Sequence, residues 1–333
     1  MRKFLLVIVA AVLLLGANNS KAQDFHLSMY DAGPLFLNPA MTGLVDATWR
    51  VHAQYRNQWK AVAYKPYNTA LLSFDVPYKK WGFGAQVIDM RAGIGNYNVF
   101  QFMGSAAFNV AVDRNKDHQL SFAIQAGFTQ KSVDFAKLTF GEQYTTSGGG
   151  GFDKTLLSGE TNNALRSQII EQVNAGFLYY YAKETAKLNP FIGYSTFNIT
   201  QPNETYFDMA NKLPIRHYVH TGVRINITNK FYLLPKALFM MQTNAREQTF
   251  AVDASYFMQG NSVFLLSGLT YRNKDAMVIS IGMRKDNYIA KMSYDVNTSS
   301  LKDASNNRGG IELSFTYMGK KPKPTTIRNC PRI

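Results

Sequence analysis

Thr48-Trp49-Arg50-Val51-His52-Ala53-Gln54-Tyr55-Arg56 is the stretch whose reading decides the fold class. Its even positions are polar, and two of them are arginine. Its odd positions are Trp49, Val51, Ala53 and Tyr55. Successive side chains of a strand point to opposite faces, so the stretch has one apolar face and one polar, basic face. A strand of a soluble sandwich has the same pattern. What separates the two is recurrence. The alternation returns to the C-terminus in segments of about ten residues with turns between them, which is the signature of a transmembrane β-barrel.

Counting outward from Thr48–Arg56, the pattern predicts strands over Thr69–Val76, Trp81–Met90, Asn98–Val112, Gln119–Ser132 and Gln168–Ala182. It continues over Pro190–Asn198, His217–Ile227, Phe231–Met241 and Glu247–Met258. The last four are Ser262–Tyr271, Ala276–Arg284, Tyr288–Val296 and Gly310–Met318. The fold class is therefore all-β, an antiparallel transmembrane barrel of about 14 strands over residues 48–318. The number is even, as single-chain bacterial barrels require. Ile311, Leu313, Phe315 and Tyr317 share one face, and Glu312, Ser314 and Thr316 share the other. Pro235 cannot donate to a ladder, so a bulge or break is expected there. With the N-terminus placed in the periplasm, the turns on that side are short. Most outer connections are longer, notably Val133–Ser167 with its run of glycines, although those near Thr243 and Asn273 are short.

Residues 1–22 read as a cleaved signal peptide. Arg2 and Lys3 precede an apolar run, Phe4 to Leu15, and Ser20-Lys21-Ala22 supplies small residues around a cleavage point. The run is shorter than a membrane helix needs. The chain carries a formal charge of +14, which falls to +11 without Arg2, Lys3 and Lys21. That charge is scattered through turns and alternating strands rather than gathered on a helix or cluster, so nucleic acid is not the expected partner. Aromatic residues make up 14% of the chain and tyrosines number 19. Such rings suit membrane–water interfaces, and outer-membrane lipid is the expected surrounding.

Residues 23–47 differ from the rest. Pro34, Pro39 and two glycines exclude a regular strand or a long helix, yet the segment is too apolar to lie free in water. It is expected inside the barrel as a plug or hatch, with Pro34, Asn38, Pro39, Ala40 and Gly43 as its marked positions. The polar faces of the strands put Arg50, His52, Gln54, Arg56, Arg224 and Lys291 toward the lumen. Arg50 and Arg56 are expected to contact the 23–47 segment or a carboxylate at a strand end. Residues 319–333 form a basic, proline-rich periplasmic tail. Its Lys320, Lys321, Lys323 and Arg332 are candidate partner-binding positions.

The residues that carry chemistry do not assemble into a catalytic pattern. His217 and His220 lie three apart, which in a strand puts them on opposite faces, so they cannot share a metal ion. Gly82-Phe83-Gly84 lacks the third glycine and the following helix of a dinucleotide loop. No serine sits in a nucleophile elbow. Asp75 and Asp295 read as partners of lumen arginines rather than an acid–base pair. No enzymatic activity, cofactor or metal is expected. Cys330, the single cysteine, provides no disulfide framework.

Several motifs carry a resemblance. They are Gln23-Asp24-Phe25-His26-Leu27-Ser28-Met29-Tyr30, Pro34-Leu35-Phe36-Leu37-Asn38-Pro39-Ala40-Met41-Thr42-Gly43 and Tyr55-Arg56-Asn57-Gln58-Trp59. Ser73-Phe74-Asp75, Tyr294-Asp295-Val296 through Ser300-Leu301, Gly309-Gly310-Ile311-Glu312-Leu313-Ser314 and the Cys-Pro-Arg ending add to them. With these the chain resembles the PorP/SprF family of type IX secretion membrane proteins. The resemblance implies an outer-membrane barrel that associates with periplasmic ring proteins and lipoproteins. It also implies support for secretion of cargo, including gliding adhesins in some relatives. Asn38-Pro39-Ala40 alone also looks like the hatch of the long-chain fatty-acid channels, so a transporter of small hydrophobic substrates is the alternative. That alternative needs an apolar path, whereas the lumen positions named above are polar.

Overall fold

A computed structural model of the chain describes residues 27–58, 65–146, 150–157, 167–183, 185–205, 211–260, 262–299 and 302–319, with 302 and 304 by backbone alone. The leader, residues 23–26, Trp59, Ser300, Leu301 and the tail with Lys320, Lys321, Lys323, Cys330 and Arg332 lie outside these residues.

Among the described residues sixteen strands follow one another. They are β1 (Arg50–Gln58), β2 (Tyr67–Tyr78), β3 (Trp81–Ala92), β4 (Tyr97–Ala111), β5 (His118–Ser132), β6 (Tyr144–Thr145), β7 (Gly151–Phe152) and β8 (Ser167–Tyr181). Then come β9 (Leu188–Phe197), β10 (Arg216–Asn226), β11 (Phe231–Gln242), β12 (Ala245–Met258), β13 (Val263–Arg272), β14 (Ala276–Lys285), β15 (Tyr288–Asn297) and β16 (Arg308–Met318). The short pair β6–β7 stands apart as a two-stranded sheet in the connection between β5 and β8. The other fourteen form one closed antiparallel barrel, in which β1 pairs with β16 as well as with β2. Closure removes the sheet edges along most of the wall, where hydrocarbon could not satisfy them. Among the described residues no helix is long and apolar enough to cross a membrane.

Which face is buried decides the solvent. Ile281 is 56% exposed and Leu313 48%, while Glu312, on the opposite face of β16, is 1% exposed. The apolar face looks outward and the polar face inward, the reverse of a soluble sandwich. An outer surface this apolar calls for lipid rather than water. Aromatic rings gather where strands meet the short turns. Trp49 packs edge-on to Tyr317 at 5.1 Å, Tyr317 lies 4.6 Å from Tyr288, and Trp81 lies 5.0 Å from Phe108. Replacing Ile281, midway along β14, by arginine is expected to cost ~2–4 kcal/mol, the cost of a cation near the bilayer midplane. Urea unfolding from lipid vesicles measures this. Unchanged stability would mean that β14 does not face lipid.

The connections differ between the two ends of the barrel. Lys79-Lys80 and Asp286-Asn287 each close a hairpin with two residues, and Lys79 and Asp286 adopt φ of 56° and 50°. Tight hairpins demand such left-handed positions. In the turn before β5 the Asp113 carboxylate accepts from the His118 N–H at 2.8 Å, which holds that carboxyl below its usual range. The other end carries the long connections 133–166, 198–215 and 298–307.

One local reading needs correction, and another resolves between its two alternatives. β1 begins at Arg50, so Thr48 and Trp49 precede the ladder. Of the bulge or break expected at Pro235, the structure has the break. β11 stays paired with β12 through Pro235–Val252, and the ladder to β10 lapses between Gly222–Lys236 and Ile225–Leu233 without a change of register. The lapse falls where proline has no N–H to give. A register shift lies instead between Tyr294 and Val296 on β15, opposite β16, with Asp295 at its centre.

Candidate functional site: a segment held inside the barrel

Residues 27–44 lie inside the barrel and are almost wholly buried. Their sequence explains their shape. Pro34 starts a single helical turn, Pro34–Leu37, where its fixed φ fits and its missing N–H is not needed. Asn38 is extended at φ −155° and ends that turn. Its Oδ1 accepts from the Ala40 N–H at 2.9 Å, which caps the next short turn, Pro39–Met41. Leu37, Ala40 and Met41 then bury their side chains among Ala107, Ala123, Leu178, Phe191, Leu234 and Leu238 of the wall. Leu27 and Phe36 pack with Leu71 and Ile88.

A segment without regular structure has carbonyls and N–H groups to satisfy. The wall supplies the partners. Ser121 Oγ donates to the Ala40 carbonyl at 2.6 Å, and Ser195 Oγ donates to that of Leu37 at 2.8 Å. Asn38 Nδ2 donates to the Phe177 carbonyl at 2.9 Å and lies 3.0 Å from His220 Nε2. Gly43 ends the segment at φ +73°, a conformation that favours glycine, and sits directly against Gly82 of β3. A Cβ on Gly82 would lie 2.8 Å from the Gly43 Cα. Where Leu27, Tyr30 and Phe36 face β10–β13 there is a gap of about 10 Å³, room for one water.

Three groups of charges tie the segment to the wall. Near the short turns, Arg50 grips Asp75 with two bonds, Nε to Oδ1 at 2.9 Å and Nη2 to Oδ2 at 2.8 Å. Asp75 also accepts the Gly43 N–H at 2.7 Å, and Arg50 donates to the Met41 carbonyl at 3.2 Å. Nearer the long loops, Glu312 accepts the N–H groups of Ser28 at 2.7 Å and Met29 at 2.9 Å. It also accepts from Gln54. Arg56 lies 3.4 Å from Glu312 and 2.9 Å from Asp295, and Asp295 accepts the Ser28 hydroxyl at 2.6 Å. Between these groups, Lys236 of β11 is bonded to Asp31 of the segment and, at 2.7 Å, to Asp253 of β12. Every partner just named is fully or largely buried. Charges kept from water are retained only where they are paired and hydrogen-bonded.

The marked positions are thus brought together unequally. Pro34, Asn38, Pro39, Ala40 and Gly43 all lie within the buried segment. Arg50, Gln54 and Arg56 touch it directly. His52 supports Gln54 at 3.0 Å without reaching the segment. Lys291 stands 3.6 Å from Asp253 and joins the network through it. Arg224 is apart, stacked 4.0 Å over Tyr232 and donating to Asn226. His217 bonds Tyr194 while His220 faces Asn38, so the two histidines do lie on opposite faces. Among the described residues no group of three or more His, Cys, Asp or Glu is arranged to hold a metal ion. Sequence reading missed Ser28, Asp31, Lys236 and Glu312 as partners. Lys236 had a signal, being a lone cation in the inward row Leu234, Lys236, Leu238.

Known proteins with this fold include CymD, a monoaromatic hydrocarbon channel. It is 12% identical, with a TM-score of 0.51, covering 87% of this chain and 93% of its own. The toluene transporter TbuX of Ralstonia pickettii is 11% identical, with a TM-score of 0.53, covering 87% and 94%. The toluene transporter TodX of P. putida is 10% identical, with a TM-score of 0.51, covering 86% and 93%. At such identities the likeness is one of fold. No curated protein sequence matches. A family model described as "Type IX secretion system membrane protein PorP/SprF" matches residues 19–317, so the chain belongs to the PorP/SprF family of type IX secretion membrane proteins.

Proposed function

We propose that this outer-membrane barrel serves type IX secretion as a plugged anchor, with residues 23–47 as a resident plug and no catalytic role. It receives secreted cargo, such as a large adhesin used in gliding, and holds it to periplasmic ring proteins and lipoproteins. The observation that carries this reading is the capture of the segment's own backbone by buried wall carboxylates, Glu312 on Ser28 and Met29, and Asp75 on Gly43. A pore for small apolar substrates has no use for buried ion pairs across its path, whereas a permanent stopper does. The periplasmic turns and the tail, with Lys320, Lys321, Lys323 and Arg332, are the surfaces left for periplasmic partners. The leader of residues 1–22 takes the chain out of the cytoplasm.

Extraction of outer membranes in mild detergent, followed by capture through a tag in the 133–166 loop, tests the reading. Ring proteins, lipoproteins or a large secreted adhesin are expected to come with the barrel. A barrel that emerges alone, from cells secreting normally, contradicts it.

A further inference from the structure

The barrel wall is not equally complete all round. β8 pairs with β5 along its whole length, from His118–Tyr181 to Ser132–Ser167. On its other side it pairs with β9 only from Ala175–Thr196 to Tyr180–Phe191. β9 ends at Phe197, and Asn198, at φ 60°, turns the chain out of the ladder. Among the described residues, the half of β8 nearest the long loops, Ser167–Asn174, therefore has no strand beside it on the β9 side.

What lies there is the loop after β9, and it reaches β8 mostly through side chains. Gln172 Nε2 donates to Asn198 Oδ1 at 2.7 Å, and Gln168 donates through Nε2 to the Asn203 carbonyl at 2.8 Å and accepts the Thr205 N–H at Oε1 at 2.9 Å, while Lys131 of the neighbouring β5 pairs with Glu204 at 2.6 Å. Among the described residues, two bonds reach the β8 backbone on that side. Ile199 N–H donates to the Val173 carbonyl at 2.9 Å, and Thr200 Oγ1 donates to that of Glu171 at 3.2 Å. Residues of one parity aim both backbone groups the same way, so Ile169, Glu171 and Val173 all present theirs to this seam. Among the described residues, the N–H groups of all three and the Ile169 carbonyl find no partner there. The same residues turn their side chains outward, with Ile169 64% exposed.

We propose that this edge, Ile169 to Val173, is a strand-addition site for an extended segment of another polypeptide. The inference rests on the secretion reading, because it requires a protein partner at the long-loop end. A sheet edge with regularly spaced donors and acceptors binds extended chain by main-chain bonds, with the alternate side chains choosing the partner. Ile169 and Val173 favour apolar outward residues in the incoming strand, and the exposed Glu171 between them favours a Lys or Arg opposite. The loop of Asn198–Glu204, held mainly by side-chain bonds, is the cover that gives way.

Photocrosslinking amino acids placed singly at 169, 171 and 173 of the full chain, in secreting cells, provide the test. The expected result is adducts to one partner at residues two apart along a single stretch, the register of a paired strand. Glu171→Pro removes the seam-facing N–H together with the carboxylate, on the side of β8 away from the β5 ladder, and it should reduce the adducts at 169 and 173 at least tenfold. Glu171→Gln keeps that N–H and should retain most of them. Adducts without a two-residue register, adducts to a second copy of this chain, or adducts unaffected by Glu171→Pro overturn the strand-addition site while leaving the secretion reading standing. If the tagged barrel carries no protein partner at all, both readings fail.

Discussion

Replacing Glu312 by alanine is expected to destabilise the barrel by ~3–5 kcal/mol, the usual cost of stripping one member from a buried ion pair. The carboxylate is 1% exposed and serves four donors: Ser28 N–H, Met29 N–H, Gln54 and Arg56. Alanine leaves the two N–H groups without their acceptor and Arg56 with Asp295 alone as its carboxylate partner. Glu312→Gln retains an acceptor for one N–H and should cost less. Urea unfolding from lipid vesicles reads both. An alanine variant within 1 kcal/mol of the parent would show that the segment does not depend on this wall residue.

Gly82→Ala is the second large effect. Its new Cβ would lie 2.7 Å from the Thr42 carbonyl carbon and 2.8 Å from the Gly43 Cα, both backbone atoms that cannot swing aside. Overpacking of this kind costs about 1–3 kcal/mol. Lifting Gly43 off Asp75 adds the loss of a hydrogen bond to a charged group, about 1.5–3 kcal/mol. Gly260→Ala is the control, because nothing lies within 4 Å of a Cβ there. The readout is amide hydrogen exchange at Gly43, which should rise well above the parent in Gly82→Ala and stay unchanged in Gly260→Ala. Equal protection in all three would contradict the close seating of residues 42–43.

These effects also mark where sequence reading reached and where it stopped. Period-two alternation survives folding directly, so the strands were legible from the pattern, and its recurrence along the chain turned Arg50, His52, Gln54 and Arg56 inward. Pro34, Pro39 and Gly43 announced an irregular segment for the same local reason. The partners were not legible. Ser28 and Glu312 are 284 residues apart, and no local pattern ties Asp31 to Lys236. Those pairings follow from closing the barrel, which sets β1 beside β16. Pro235 was read as a bulge or a break because one missing N–H is costly, and the break is what occurs. The structure absorbs it in a short lapse beside β10 and spends the register shift at Asp295. There Gly309 makes room, since a Cβ on it would lie 2.6 Å from that of Asp295.

The central claim is that residues 23–47 close the lumen. Ion conductance of the intact protein in a planar lipid bilayer tests it most directly. The account predicts a closed baseline, with openings only when the charged ties fail, as in Glu312→Ala. A steady open-pore current from the unaltered chain would contradict it.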